Sequence, residues 1–229
     1  MNYLISYPRS GNSFIRYIIE YLSKRPTLNC ITDNKHGPIY KEGASLIEID
    51  DFEPILRKEH HWEYIKFELN CQSIIIILVR NYKDAIISHF LRRIRKRDLI
   101  LNRNRQKIIN WDEIYTMSYQ YLDLIDNFDK INNRKLLIYY EDFINEPFES
   151  VINIYNILNI INAEKLNNFR ESFKIIKADS INLYKAKKLH PRLLKIKEEI
   201  SEKELNEFDR FIESKNEQLY DRYLKRYKE

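Results

Sequence analysis

The sequence predicts an α/β fold, a parallel sheet with helices on both faces. Three short runs rich in apolar residues, at 2–7, 73–79 and 135–140, are each followed by a segment with helical periodicity. Strands that alternate with helices pair in parallel through right-handed β-α-β connections. In such sheets ligands bind beyond the carboxyl ends of the strands. We therefore expect the functional residues immediately after these runs.

The first run, residues 2–7, leads through Pro8 and a polar turn into a helix predicted over residues 13–24. The apolar residues of that helix recur at the spacing of one helical face, at Phe14, Ile15, Ile18, Ile19 and Leu22. The chain thus opens with a strand, a tight turn that contains Gly11, and a helix. Residues 27–54 are expected to form loops with short elements.

The second run, Ser73–Val79, is almost entirely apolar and β-branched, which is typical of a strand covered on both faces. Arg80 follows it directly. A helix is predicted from about Tyr82 to Arg97, so polar residues again mark the end of a buried strand.

The rest of the chain is predicted to be mainly helical. A helix over residues 111–130 precedes the third strand, and another begins at Pro147, a residue favoured in the first turn of a helix. Beyond Ala163 the pattern is helical apart from a basic stretch at 185–192. Residues 198–228 are predicted as one long charged helix.

The sequence shows no linker, repeat or low-complexity segment, so we expect one soluble domain over residues 1–229, with an α/β core at 1–160 and a helical region at 161–229. The net charge of +5 is compatible with an anionic ligand but does not by itself indicate nucleic acid. No apolar run approaches the roughly 20 residues of a membrane span, and no secretory leader is recognised. Two cysteines without a metal-binding pattern are expected to be reduced thiols of a cytoplasmic protein.

The number and positions of the glycine residues exclude the commonest nucleotide-binding motifs. The chain has three glycines, Gly11, Gly37 and Gly43, so that neither the Gly-x-Gly-x-x-Gly fingerprint nor the Gly-x4-Gly-Lys-Ser/Thr loop can be present. The usual sequence signals of NAD and ATP sites are therefore absent.

Residues 7–14, Tyr-Pro-Arg-Ser-Gly-Asn-Ser-Phe, form a candidate anion site. A loop from a buried strand into a helix directs backbone N–H groups at one point, where the helix dipole adds positive charge. Gly11 permits close approach, Arg9 supplies a guanidinium group, and Ser10 and Ser13 add hydroxyl donors. The alternative is an ordinary turn in which Ser13 only caps the helix.

A second candidate site follows the central strand. Arg80 lies at its carboxyl end, and Ser88 lies two turns into the next helix, so both can face one phosphate. The alternatives are that Arg80 pairs with Asp84 and that Ser88 is only a small packing residue. Two anion sites at one sheet edge suit a ligand with two separated phosphate-like groups.

These segments resemble motifs of the sulfotransferases that use 3′-phosphoadenosine 5′-phosphosulfate (PAPS). Residues 7–14 are similar to the family's 5′-phosphosulfate loop, and residues 79–88 to its 3′-phosphate segment. Residues 137–143, Leu-Ile-Tyr-Tyr-Glu-Asp-Phe, are similar to its later Tyr-Glu-Asp strand end, with Pro147 following. The motifs occur in family order over roughly residues 3–160. The resemblance implies a P-loop-like parallel sheet in a single sulfotransferase domain, with residues 1–160 as its nucleotide-binding core.

The resemblance also implies roles for individual residues. Arg9 would bind the 5′-phosphosulfate and Arg80 the 3′-phosphate. The residues expected around the donor nucleotide are Arg9, Ser10, Gly11, Asn12, Ser13, Phe14, Arg80, Ser88 and Tyr140, with Phe14 packed on the adenine and Tyr140 near it. The family's Lys-x-His pattern is met by Lys58 and His60, although Glu59 stands where a threonine or serine is usual.

The chemistry implied is sulfuryl transfer by in-line displacement, in which Arg9 and Lys58 stabilise developing charge and His60 accepts the acceptor's proton. His61 is an alternative base from the same segment, and His36 one from another loop. No metal is expected, because the acceptor hydroxyl donates its own proton and no cluster has metal-ligand spacing.

The chain departs from the family pattern in several places. An Arg-Lys-Gly segment that helps to bind the 3′-phosphate has no clear match. The basic stretch at 185–192 is interpreted as a solvated loop, with the alternative that some of its residues replace that segment and close over the nucleotide: Lys185, Lys187, Lys188 and Arg192. The basic run at 92–97 is interpreted as the end of a helix, where cations offset the helix dipole.

The sequence therefore predicts a PAPS-dependent sulfotransferase that acts on a hydroxyl, or second an amine, of a small molecule or carbohydrate. Neither nucleic acid nor a membrane is an expected partner, and the oligomeric state is open. A nucleotide kinase or related phosphotransferase is one alternative. A non-catalytic nucleotide-binding module of the same fold is the other.

Overall fold

The computed structural model describes residues 1–31, 37–101, 109–183 and 197–228, with the backbone alone for residue 42 and for residues 95–101. Lys185, Lys187, Lys188, Arg192 and His36 lie outside the described residues.

Within the described ranges, five strands form one parallel sheet in the order β2-β3-β1-β4-β5. The strands are β1 (Tyr3–Ser6), β2 (Thr27–Leu28), β3 (Leu56–Glu59), β4 (Ile74–Val79) and β5 (Arg134–Tyr139). The all-apolar β4 is completely buried and pairs with β1 on one side and β5 on the other. The predicted α/β class is confirmed.

Helices pack on both faces of the sheet. They are α1 (Asn12–Ser23), α2 (Tyr82–Leu101), α3 (Trp111–Lys130), α4 (Tyr140–Asn145), α5 (Pro147–Ile157), α6 (Ala163–Leu183) and α7 (Glu202–Lys215). Successive side chains of a strand point to opposite faces, so β1 and β4 contribute alternately to two hydrophobic clusters. One cluster takes in α2, α3 and α7, and the other takes in α1, α5 and α6. None of the described helices is long and apolar enough to cross a membrane.

Two strands were not predicted from the sequence. β2 has two residues, and β3 reads Leu-Arg-Lys-Glu, which lacks the apolar run of β1 and β4. β3 pairs in parallel with β1, with Tyr3 opposite Arg57 and Ile5 opposite Glu59. Because this pairing joins distant parts of the chain, local composition gave no signal for it.

The expectation of a single helix over residues 198–228 was wrong. α7 ends at Lys215, and Asn216 has extended backbone (φ −161°, ψ 92°) while its side chain caps a new turn by accepting from the N–H of Leu219 at 3.0 Å. Three short turns of different type follow, at Glu217–Leu219, Tyr220–Leu224 and Lys225–Tyr227. This break lets the C-terminal aromatic residues fold back onto the sheet.

Candidate active site

The loop between β1 and α1 has a strained backbone. Arg9 (φ 74°) and Gly11 (φ 91°) both have left-handed conformations, which are costly for a residue that carries a Cβ. The N–H of Ser10 bonds back to the carbonyl of Tyr7 at 3.3 Å and closes the turn. The loop is thus a tight, bent connection at the carboxyl edge of the sheet.

Helix α1 begins without a side-chain cap. Its N-cap position is Gly11, and no side chain accepts from the first turn. By contrast, Asn110 caps α3 by accepting from the N–H of Glu113 at 3.2 Å. The alternative that Ser13 caps α1 is therefore wrong. An uncapped N-terminus beside an arginine leaves its N–H groups available to an anion.

Arg80 is tied to this loop. Its Nη1 donates to the backbone carbonyl of Arg9 at 2.8 Å, and its guanidinium lies over the ring of Tyr140, 4.9 Å from the ring centre. Tyr121 donates its hydroxyl to the carbonyl of Arg80 at 2.6 Å. The alternative pairing of Arg80 with Asp84 is present only as a long contact of 3.7 Å. The two candidate anion sites are therefore adjacent.

Several polar atoms of this site are buried without a partner in the described part of the chain: Arg9 Nε, Arg80 Nε, Ser10 Oγ and Asn12 Oδ1. Burial lowers the pKa of Arg9, and the charges of Arg92 and Arg80 lower it further. Unsatisfied buried donors next to like charges are costly. An anion with acceptor oxygens would satisfy the donors among them, Arg9 Nε, Arg80 Nε and the Ser10 hydroxyl, so these three residues fit phosphate groups; Asn12 Oδ1 is an acceptor and would not bond to an anion.

Gly11 lies directly against Tyr140. A Cβ added at Gly11 would be 2.3 Å from Cε2 of the Tyr140 ring, closer than atoms can approach. Tyr140 is the first residue of α4 and follows β5, so the ring from a third strand end closes onto the loop. The three predicted motifs meet at this point.

The other predicted donor-site residues have contacts of their own. Asn12 donates its amide to Ser6 Oγ at 2.5 Å, so it bonds to β1 rather than facing outward, and Ser13 is half-buried in the first turn of α1. The ring of Phe14 packs edge-on against Phe143, at 5.5 Å between centroids.

Ser88 is buried on α2, 6% exposed, two turns beyond the start of that helix. Arg80 precedes the same helix, so the two residues lie at one end of α2 as predicted. Their contacts do not join them directly: those of Arg80 run to the loop and to Tyr140.

His60 follows β3 and lies beside β1. Its Nδ1 is 2.6 Å from the carbonyl oxygen of Ser6. Because a carbonyl only accepts, Nδ1 must carry the proton, and Nε2 of the neutral ring is then an acceptor. Burial lowers the pKa of His60 to about 3, and the charge of Lys58 lowers it further. His60 is therefore neutral at pH 7, with Nε2 available to take a proton.

Glu59 organises the segment next to Lys58. Its side chain is completely buried and accepts from the N–H of Ile31 at 2.8 Å and from the thiol of Cys30. Lys58 Nζ donates to Asn29 Oδ1 at 3.1 Å. Glu59 thus holds residues 29–31 against β3, where they contact Lys58. Burial raises the pKa of Glu59.

His61, the alternative base, is exposed and contacts Gln120 through Nδ1 at 3.3 Å. A histidine that the sequence analysis did not single out lies closer to the loop. His89 Nδ1 is 2.9 Å from the hydroxyl of Tyr7. Burial lowers the pKa of His89 to about 4, and the charges of Arg93, Arg9 and Arg92 act in the same direction. In the sequence, the only indication that His89 belongs to this site is that it directly follows Ser88.

The interpretation of the basic run at 92–97 as the end of a helix was wrong. Helix α2 continues to Leu101, so Arg92 lies more than two turns before the end and does not act on the helix terminus. Its charge instead acts on Arg9 and on His89. Arg93 is 3.6 Å from the carboxylate of Glu113 on α3.

Comparisons with known proteins identify the fold of the chain. No protein-family model and no curated protein matches the chain. Among solved structures, mouse sulfotransferase SULT7A1 complexed with PAP (3′-phosphoadenosine 5′-phosphate) has a TM-score of 0.54 at 19% identity, over 93% of this chain and 82% of that one. The sulfotransferase domain from the curacin biosynthetic pathway has a TM-score of 0.47 at 16% identity, over 72% and 76%. On the similarity to the mouse protein, the chain has the sulfotransferase fold.

Proposed function

We propose that this protein is a sulfotransferase that transfers a sulfuryl group from PAPS to a hydroxyl, or an amine, of a small-molecule or carbohydrate acceptor. One observation carries the proposal. Arg80 is bonded to the loop of Arg9, and the Nε atoms of both arginines are buried without an acceptor. Such a pair favours one ligand with anionic groups at two ends.

The donor site is assigned from the contacts described above. Arg9, Ser10 and the backbone from Gly11 to Ser13 would hold the 5′-phosphosulfate at the uncapped start of α1. Arg80 and Ser88 would hold the 3′-phosphate. The adenine would lie near Phe14 and Tyr140, both of which are half-buried. Asn12 would support the loop through its bond to β1.

In the transfer step, the acceptor oxygen forms a bond to sulfur while the bond from sulfur to the 5′-phosphate oxygen breaks, and the electron pair stays on that phosphate. Arg9 and Lys58 stabilise the negative charge that develops there. His60 Nε2 takes the proton of the acceptor. A neutral, buried imidazole is a weak base, and an anionic donor beside it raises its proton affinity by favouring the charged form.

A binding experiment separates this function from the phosphotransferase alternative. We expect PAP to bind the purified protein and raise its melting temperature, and ATP to bind much more weakly, because ATP lacks the 3′-phosphate that Arg80 is proposed to bind. Tighter binding of ATP than of PAP would contradict the proposal.

A transfer assay separates it from a non-catalytic module. With labelled PAPS and a panel of phenols, alcohols and sugars, His60→Ala should lower the rate by roughly 10²–10⁴-fold. His61→Ala is the matched control, because His61 is exposed on the same segment, and it should leave the rate near that of the wild type. An unchanged rate in His60→Ala would contradict the assignment of His60 as the general base.

A further inference from the structure

His89 lies against the strand end that carries the loop of Arg9. Its Nδ1 is 2.9 Å from the hydroxyl of Tyr7, and the two rings meet edge-on with 5.3 Å between their centroids. Tyr7 directly follows β1, and its carbonyl closes the turn of the loop by accepting from the N–H of Ser10. Tyr121 also packs on the ring of Tyr7, at 5.5 Å. Direct contacts therefore fix His89 beside the loop.

The Tyr7 hydroxyl determines which nitrogen of His89 carries the proton. Tyr7 is 2% exposed, and burial raises the pKa of its phenol, so the hydroxyl keeps its proton and needs an acceptor. Within the described ranges this hydroxyl bonds to no atom other than His89 Nδ1. Nδ1 is therefore the acceptor. The ring, whose pKa is about 4, is neutral at pH 7 and carries its proton on Nε2.

The two histidines beside the loop thus present opposite groups to a ligand. His60 Nδ1 faces a backbone carbonyl, so that its Nε2 accepts a proton, whereas the Nε2–H of neutral His89 donates. In the part of the chain that the structure describes, His89 Nε2 makes no hydrogen bond, and it is not sealed from solvent. His89 is therefore a donor that a ligand can reach, and it is not a second base.

The contacts of His89 lie on the face of the sheet opposite to the proposed adenine site. Phe14 packs against the cluster of α1, α5 and α6, whereas Tyr7 belongs to the cluster of α2, α3 and α7. The proposed base contacts this second face, because the carbonyl of His60 accepts from Gln120 Nε2 on α3 at 3.2 Å. A donor nucleotide with its adenine on the first face would therefore bring its sulfuryl end to the second.

Ser88, which is proposed to bind the 3′-phosphate, precedes His89 on α2. Successive residues of a helix point about 100° apart, so the two side chains have different surroundings. Ser88 is 6% exposed, whereas His89 is half-buried and contacts Tyr7. Their adjacency in the chain therefore does not require that both bind the same group of the ligand.

We propose that His89 is a catalytic residue that donates its Nε2–H to an oxygen of the sulfuryl group of the donor, and that Tyr7 is the positioning residue that holds it in this tautomer. The inference rests on the proposed sulfotransferase function. A hydrogen bond to a negatively charged oxygen is stronger than one between neutral groups. His89 keeps its proton during the transfer, and His60 takes the proton of the acceptor.

The tautomer is measured without any ligand. Proton–nitrogen correlation spectra of the full chain with ¹⁵N-labelled histidine distinguish protonated from unprotonated ring nitrogens, and spectra of His60→Gln and His89→Gln assign the signals. We expect the proton on Nε2 in His89 and on Nδ1 in His60. Tyr7→Phe should release His89 into a mixture of tautomers, whereas Tyr119→Phe, the matched control at an exposed tyrosine, should not. A proton on Nδ1 of His89 in the wild type would overturn the inference.

Ligand binding tests the contact with the sulfuryl group. The wild type, His89→Leu and His89→Gln are titrated with PAP and with PAPS, which differ in that group alone. His89→Leu should bind PAP like the wild type and PAPS roughly tenfold or more weakly, which is the contribution of one hydrogen bond to a charged group. His89→Gln places an amide N–H near the position of Nε2 and should restore most of the loss.

Two results would overturn the inference while leaving the proposed function intact. One is PAPS binding that His89→Leu does not weaken. The other is an equal loss for PAP and PAPS, which would place His89 at a group that both ligands carry, such as the 3′-phosphate. Failure of the wild type to bind PAP would overturn the proposed function and this inference together.

Discussion

The side chain of Arg80 is anchored to the backbone carbonyl of Arg9, at 2.8 Å. The residue that follows the central strand therefore also fixes the conformation of the loop that follows the first strand. Because Arg9 has a left-handed backbone there, this bond helps to hold a conformation that the loop would not adopt by itself. The relationship joins the two candidate anion sites into one.

Replacement of Arg80 should discriminate between two nucleotides. Arg80→Ala is expected to weaken binding of PAP by about 1.5–3 kcal/mol, the cost of one charge-assisted hydrogen bond, and to affect adenosine 5′-phosphate much less. Isothermal titration of both ligands measures the difference. Asp84→Asn is the control: it removes the carboxylate 3.7 Å from Arg80 and should leave PAP binding equal or tighter. Equal weakening of both nucleotides by Arg80→Ala would show that Arg80 acts only through the loop of Arg9, which binds the 5′-phosphate that they share, and would contradict a contact with the 3′-phosphate.

Alanine at Gly11 should be more damaging than alanine at Gly43. Both glycines have positive φ, 91° and 96°, so both substitutions cost about 1–2 kcal/mol in backbone energy. Only at Gly11 does the new Cβ overlap the Tyr140 ring, which adds about 1–3 kcal/mol of overpacking. The Cβ at Gly43 would meet Leu183 at an ordinary 3.8 Å.

Urea unfolding of the two alanine variants measures this difference, and Tyr140→Ala provides a second check. In the Tyr140→Ala background the extra cost of Gly11→Ala should disappear. If the two glycine positions cost the same in the wild type, Tyr140 does not pack against the loop as described.

The buried carboxylate of Asp209 should be essential for docking of α7. It accepts from the Tyr82 hydroxyl at 2.6 Å and from Lys83 Nζ at 3.1 Å, and its side chain is 4% exposed. Asp209→Ala is expected to lower the free energy of unfolding by about 3–5 kcal/mol, because it leaves Lys83 without its partner. Denaturant titration tests this. Asp221→Ala, which breaks the exposed pair with Lys225, should cost less than about 1 kcal/mol. Similar losses in both variants would argue against a buried anchor.

Stability should fall as the pH falls through the range where free histidine titrates. In the folded chain the pKa of His60 is about 3 and that of His89 about 4, whereas in the unfolded chain both are near 6.5. Below about pH 6.5 the unfolded state therefore binds more protons, and stability is lost on acidification. Each histidine contributes roughly 1–2 kcal/mol between pH 7.5 and pH 5.

Unfolding curves over this pH range test the effect. His89→Gln should reduce the loss of stability on acidification, and His60→Gln/His89→Gln should reduce it further. A wild-type stability that does not change between pH 7.5 and pH 5 would show that these histidines are not buried in the neutral form.

The segments that could be predicted from sequence are those with strong local signals. β4 is all apolar, and α3 begins and ends at the predicted residues, Trp111 and Lys130. By contrast, β3 carries Lys58 with no apolar alternation, and its pairing partner β1 is distant in the chain. Asn216 likewise ends α7 inside a pattern that reads as continuous helix.

The sequence by itself determined the α/β class, the central strand, and which polar residues follow each strand, because composition and periodicity are properties of neighbouring residues. Only the tertiary structure decided that Arg80 bonds to the loop of Arg9 and that Tyr140 closes on Gly11. These contacts join residues far apart in the chain. They are fixed by the order of strands in the sheet and by the packing of helices on its faces, which no local pattern specifies.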